Sequence, residues 1–213
     1  HWPRYDQLFE EPKIIMRQTS DSIRCVYDES GYYVLNSILV FKKNSERYSY
    51  KYIAAVLNST LTDYLYKKLT QEEGRTFAEV KPANVRKLYI PKATREEQDL
   101  LSILYDYLVF LKNPNQTDSF VSLNSMFIDL FEKIIDGCVY ELLFREHMKE
   151  REIDIMSYLY QQIKPIEGLS DQDKNNIIIS VHSNIFMTDN PARARLKLFV
   201  SRSPEYLKPI IQH

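Results

Sequence analysis

One change of rhythm divides this chain. Up to Pro91 most apolar residues come in short runs of β-type residues broken by turn chemistry, and from Thr94 onward they recur at helical spacing. A chain with that change folds as α+β, with a mainly antiparallel β domain and its helices first and a mostly helical region after. The boundary is expected at residues 91–94, giving domains 1–93 and 94–213.

In the first domain Lys13-Ile14-Ile15-Met16-Arg17 reads as a strand flanked by basic residues. Residues 22–27 and 32–35 read as a hairpin around Asp28-Glu29-Ser30-Gly31, and 37–41 as a further strand closed by Lys42, Lys43 and Asn44. Ile53, Val56, Leu57, Leu61, Tyr64 and Leu65 recur three and four apart, which predicts one helix over 50–69. A polar, basic stretch follows at 74–81, and 85–91 reads as a short terminal strand stopped by Pro91.

In the second domain Thr94 and Glu97 stand at capping-box spacing ahead of a helix through Leu111, which Asn113-Pro114-Asn115 breaks. Phe120, Leu123, Phe127, Leu130, Ile134 and Val139 trace an amphipathic helix to about Phe144. Shorter helices are expected at 150–163, at 171–187 behind Ser170, and from Pro191 after Asn190.

Several chemistries find no support. The 4 glycines are isolated, so no phosphate-cradling loop can form from them. His1, His147, His182 and His213 lack zinc-ligand spacing, among themselves or with Cys25 and Cys138. The two cysteines form no CxxC pair and fit a reduced, cytoplasmic setting. The longest apolar stretches, such as Ile177 to Ile179, are far too short to cross a bilayer, and no membrane partner is expected. Glu79-Val80-Lys81 has the Glu-x-Lys form of metal-dependent nucleases, but Asp63, the nearest further acid, falls on a helix where the geometry is wrong.

The positive signal is charge. Net charge is −1 in total, yet residues 1–93 carry 15 Lys and Arg against 11 Asp and Glu, while 94–213 carry 13 against 18. A basic half beside an acidic half sets one polyanion-facing region apart from another that faces something else. Candidate DNA contacts are Lys13, Arg17, Gln18, Arg24, Lys42, Lys43, Arg75, Thr76, Lys81, Arg86 and Lys87. Lys and Arg neutralise phosphates, and Arg and Gln also grip purine edges with paired hydrogen bonds. Arg17-Gln18-Thr19-Ser20 and Arg75-Thr76 place such donors beside short hydroxyl residues, which suits mixed phosphate and base contact.

The order of segments carries a resemblance. Pro12-Lys13-Ile14-Ile15-Met16-Arg17-Gln18-Thr19 precedes Ala55-Val56-Leu57-Asn58-Ser59, then Tyr64-Leu65-Tyr66-Lys67-Lys68, then Val85-Arg86-Lys87-Leu88-Tyr89-Ile90-Pro91. This series resembles the TaqI-like C-terminal specificity domain, the target-recognition unit of type IIG restriction–modification enzymes and related adenine-N6 DNA methyltransferases. Leu57-Asn58-Ser59 and Leu88-Tyr89-Ile90-Pro91 are its most telling pieces, and Ile135 to Leu142 and His147 to Ile155 extend the likeness to about residue 165. The chain opens at His1-Trp2 without a methionine, as a piece of something longer would. The resemblance implies that the rest of a parent chain holds the methyltransferase, with its S-adenosylmethionine, and a nuclease with its magnesium where one is present. This piece is then non-enzymatic and takes no cofactor, and its partners are double-stranded DNA and the methyltransferase domain of the same parent chain.

A reading of another class is a helical interaction module whose acidic half docks a methyltransferase or other partner subunit, without DNA contact. DNA affinity that falls steeply with salt separates the two. Replacing Arg75, Lys81 and Arg86 together is expected to weaken duplex binding in a gel-shift titration; unchanged affinity would move the DNA face elsewhere.

Overall fold

The computed structural model describes residues 9–70, 79–113 and 121–212. The chain forms two compact units, His1–Ile90 and Pro91–His213. It is α+β, as the change of rhythm predicts, with its strands in the first unit.

Three strands, β1 (Lys13–Arg17), β2 (Cys25–Asp28) and β3 (Ile38–Phe41), form an antiparallel sheet in the order β2-β1-β3. Ile15 faces Val26 on one side and Val40 on the other, so β1 is the central strand. The hairpin expected between 22–27 and 32–35 does not form, because Tyr32–Leu35 has no strand structure and β2 pairs with β1 instead. The cause is local. The Asp28 carboxylate accepts from Ser30 N–H at 2.9 Å and Tyr32 N–H at 3.0 Å, taking donors that a hairpin ladder would use. Gly31 makes the turn at φ 77°, a conformation that costs glycine nothing.

Behind the sheet the expected single helix is two: α1 (Tyr50–Leu57) and α2 (Thr60–Thr70). The break falls on the Asn58-Ser59 pair, whose side chains bind backbone groups themselves. Ser59 Oγ donates to the Val56 carbonyl at 2.7 Å and accepts from Thr62 N–H at 3.3 Å. Asn58 Oδ1 accepts from Cys25 N–H at 2.9 Å, and its Nδ2 donates to the carbonyls of Cys25 at 2.8 Å and Ala54 at 2.9 Å. The amide therefore closes the open edge of β2 and ties it to α1.

The strand expected at 85–91 is also absent. Pro82–Val85 forms a single helical turn, α3, opened by the proline, and Leu88 N–H continues the turn to the Val85 carbonyl at 3.1 Å. Val85, Leu88 and Ile90 pack onto the cluster of Met16, Ile23, Leu57, Tyr66 and Val80, so burial rather than a ladder holds this stretch.

In the second unit α4 (Arg95–Leu111) begins with the expected capping box: Glu97 N–H donates to Thr94 Oγ1, and Thr94 N–H donates to the Glu97 carboxylate. The long helix α5 (Val121–Leu143) follows, then α6 (Arg145–Glu150) and α7 (Met156–Leu159). Only one turn of the helix expected at 150–163 forms before Tyr160. Glu152 adopts φ 54°, and the buried Glu141 carboxylate takes the N–H groups of Ile155 at 2.6 Å and Met156 at 2.9 Å. α8 (Asp171–Phe186), α9 (Pro191–Arg202) and α10 (Leu207–Ile211) complete the unit, with Ser170 and Asn190 capping as their positions predict. At Gly137 on α5 a Cβ would lie 2.5 Å from Ile155 Cδ1 and 3.0 Å from Phe199 Cζ, so any larger residue there forces those side chains to shift. Among the described residues no helix is long and apolar enough to cross a membrane.

Asn58→Ala removes three hydrogen bonds and leaves both Cys25 backbone groups without their partner. Urea denaturation is expected to show a loss of about 2–4 kcal/mol, at roughly 1 kcal/mol for each bond. A variant as stable as the parent would show that the β2 edge does not depend on this amide.

Candidate nucleic-acid interface

Alternation along the strands gives the sheet two faces. Ile14 and Met16 point into the core. The other face consists of three rows across the sheet, fixed by the strand register. Arg17 N–H donates to the Arg24 carbonyl at 3.0 Å and Arg17 pairs with Ile38, so one end row is Arg24, Arg17, Ile38. The middle row is Val26, Ile15, Val40, and the far row continues from Asp28 and Lys13 towards Lys42.

The rows differ in what their charges are doing. Lys13 is fully buried in an ion pair with Asp28, and its ammonium also donates to the Phe9 carbonyl. Its candidacy as a DNA contact is therefore overturned: a side chain with no exposed surface cannot meet a phosphate. Lys42 pairs with Glu11. Lys43 pairs with Glu46 at 2.6 Å and lies over the Tyr50 ring. These two sit at the Lys13 end, beside an apolar cleft lined by Ile14, Phe41, Ile53, Leu57 and Val85, with Arg86 on its rim.

The opposite end is different. Arg17 and Arg24 are exposed and side by side. Arg24 donates to the Ile23 carbonyl at 2.9 Å, and neither guanidinium has a carboxylate partner among the described residues. Gln18 and Thr19 follow at this end, where Val80 N–H donates to the Gln18 carbonyl at 2.7 Å and Thr19 bridges Glu79. That junction brings Lys81, exposed at the start of α3, towards the same end of the sheet. Arg86 and Lys87 are exposed beyond α3 and carry no ion pair among the described residues. Arg75 and Thr76 lie outside the described residues.

In the sequence, cations that are spent within the fold look the same as those that are not. Its one usable signal was acidic residues near the lysines, such as Glu46 three positions after Lys43. Exposed Tyr32, Tyr33 and Leu35 were not singled out as surface either, and they stand 65%, 63% and 82% exposed between β2 and β3.

Asp63 accepts from Ile23 N–H at 3.3 Å and pairs with Lys67 at 3.2 Å, so its carboxylate is engaged away from Glu79-x-Lys81. His147 Nε2 lies 2.8 Å from Ser203 Oγ, but Ser203 is fully buried and accepts from Leu207 N–H, so the pair joins α6 to the start of α10. Burial pushes the Cys25 thiol up to about 12. Among the described residues no three His, Cys, Asp or Glu side chains converge as a metal ion would require.

The first unit is thus a small antiparallel sheet backed by helices, with two arginines at one end that have no carboxylate partner among the described residues. Residues 3–90 match the family model of the TaqI-like C-terminal specificity domain. The match ends where the first unit ends, and the likeness noted at 135–155 lies beyond it. Recognition of DNA in restriction–modification is the role that this match supports. No curated protein and no solved structure matches the chain.

Burial pushes the Asp28 carboxyl up, but hydrogen bonds from Lys13, Ser30 and Tyr32 outweigh it and hold the group below its ordinary value of 3.8. Its stabilising contribution is complete above about pH 4 and is lost as pH falls through the lower native value. Asp28→Asn leaves Lys13 buried without a counter-charge and is expected to cost roughly 3–5 kcal/mol near pH 7 in urea denaturation. The gap between variant and parent should narrow as pH drops below 4; a constant gap would mean that the carboxylate charge is not what matters.

Proposed function

We propose that this chain is the sequence-recognition part of a type IIG-like restriction–modification enzyme, whose adenine-N6 methyltransferase belongs to another part of the parent protein. The observation that carries this reading is the Arg24–Arg17 row: two arginines held in register on a sheet end, with no carboxylate partner among the described residues, within the stretch that matches the specificity domain. Placing like charges side by side costs energy in the free protein, and a polyanion relieves it.

On duplex DNA these groups work in two ways. Arg17, Arg24, Arg86 and Lys87 neutralise phosphates and release counterions, which sets register and orientation but carries no sequence information. Arg and Gln groups that reach base edges are satisfied only by the correct pair. A wrong pair leaves them desolvated and unbonded, at about 1–3 kcal/mol per position. The parent's methyltransferase then extrudes its target base only where the duplex is held well enough.

A second role fits the second unit, where α8 and the residue after it expose Ile179, Phe186 and Met187, at 42%, 48% and 60%. These apolar side chains suit contact with another part of the parent protein, alongside DNA recognition rather than instead of it.

Replacing Arg17 and Arg24 by Ala is expected to weaken binding to every duplex and to lower the slope of log K against log salt by about 2, near 0.9 per phosphate contact. Lys42→Ala with Lys43→Ala, which removes two cations already paired with Glu11 and Glu46, should change that slope far less. Fluorescence anisotropy over a salt series reads both. Equal slopes for the two double variants would refute the assignment of the face.

A further inference from the structure

The two edges of the sheet are not alike. Gln18 N–H donates to the Ser37 carbonyl at 2.9 Å, so along the β1–β3 pairing Ser37, Leu39 and Phe41 turn their backbone groups towards β1. Ile38 and Val40 turn theirs outward. The Ile38 N–H is taken by the Leu35 carbonyl at 3.0 Å, but the Ile38 carbonyl and both backbone groups of Val40 have no partner among the described residues. At the opposite edge the Asn58 amide takes both backbone groups of Cys25, the outward-facing residue there. No charged residue interrupts Ile38-Leu39-Val40-Phe41, and an open edge of apolar, β-prone residues is a template for another strand.

The apolar cleft lies beside this edge. Leu39 and Phe41 share the core side of the sheet with Ile14 and Met16, and there α1 packs behind β2 and β1. The cleft opens where Phe41, Ile53, Val85, Leu88 and Ile90 meet, with Lys43 and Arg86 on its rim. A strand added along Val40 alternates its side chains, and those level with Leu39 and Phe41 point to the side of the cleft. Residues two apart on that strand share this side, so one can enter the cleft while the other meets the rim.

Charge decides the occupant. Lys42 and Lys43 follow β3 directly, and Arg86 carries no ion pair among the described residues. A second copy of β3 would bring its own two lysines to the same edge, gathering like charges. A nucleic acid has no N–H and C=O groups at strand spacing to pair with Val40. A peptide that carries a carboxylate answers both the edge and the rim.

We propose that the open edge of β3 takes an extended peptide segment of a protein partner by strand addition. One aliphatic or aromatic side chain of that segment fills the cleft, and an Asp or Glu two residues away lies beside Arg86. A carboxylate there takes one cation from a polyanion and leaves the Arg17–Arg24 row as it stands, so the inference does not rest on DNA recognition.

The test selects binders to the 213-residue protein from phage-displayed random decapeptides. Selected peptides are expected to share an aliphatic or aromatic residue with an acid two positions away. In the best synthetic peptide, N-methylation should weaken binding about 5- to 10-fold at two positions two residues apart and hardly at all at the residue between them. Replacing the peptide's acid by Lys should weaken binding as well. Val40→Pro removes an outward N–H without touching the bonds to β1, and should weaken binding by a similar factor. If that variant does not fold, the N-methyl scan decides, because it leaves the protein unaltered. Four results overturn the proposal: no peptide is selected; the N-methyl scan shows a uniform loss or none; Val40→Pro keeps its fold by circular dichroism and binds the peptide as the parent does; or sedimentation equilibrium shows a dimer that Val40→Pro dissociates, which gives the edge to a second copy.

Discussion

The first unit depends on taking one ammonium group out of water. Lys13 lies on the face of the sheet opposite the core, yet it is fully buried. Such a charge survives there only against a counter-charge with its remaining bonds satisfied. Asp28 is directly across the ladder from it, so the ion pair is also a statement of register between β1 and β2. The same carboxylate closes the turn through Ser30 and Tyr32, and the backbone that follows, with Phe9, forms the cover over the pair. Strand pairing, turn and cover hang on one interaction. β3 is then free to add to the other edge of β1, and Phe9 stacks on Tyr33 at 5.1 Å over the covered end.

From that arrangement follows a division of the basic residues. At the covered end three cations are spent, Lys13 on Asp28, Lys42 on Glu11 and Lys43 on Glu46, while Arg86 on the rim of the neighbouring cleft has no ion pair among the described residues. At the other end Arg17 and Arg24 are unspent and adjacent. The net charge of the first 93 residues understates this, because it sums over pairs that cancel locally. What a polyanion would meet is the uncancelled remainder.

Much of the architecture was legible from local signals. Thr94 and Glu97 marked the start of α4, Ser170 and Asn190 capped α8 and α9 as placed, and the five residues of β1 were read as a strand. The failures have a common form. Tyr32–Leu35 has strand composition, but Asp28 captured its first N–H. The 50–69 helix keeps its period across Asn58, but that side chain was claimed by Cys25, 33 residues earlier. Val85–Pro91 has β-type residues, but Pro82 opened a helical turn and the core took Val85, Leu88 and Ile90. In each case a side chain or a core offered the backbone a better partner than its own propensity did. The Leu57-Asn58-Ser59 motif, central to the family resemblance, proves to be the joint between helix and sheet.

By itself the sequence determined the change from a strand-bearing first unit to a helical second one, the capped helix starts at Thr94, Ser170 and Asn190, and an inventory of cations. Those properties are set within a few residues along the chain, by spacing, caps and turn chemistry. Apart from Lys43, only the tertiary structure decided which of these cations are available, because Lys13 and Lys42 are silenced by residues distant in sequence: Glu11 lies 31 positions from Lys42, and Asp28 lies across a ladder from Lys13. Availability of a charge is a property of its surroundings in space, and the surroundings exist only once the chain has folded.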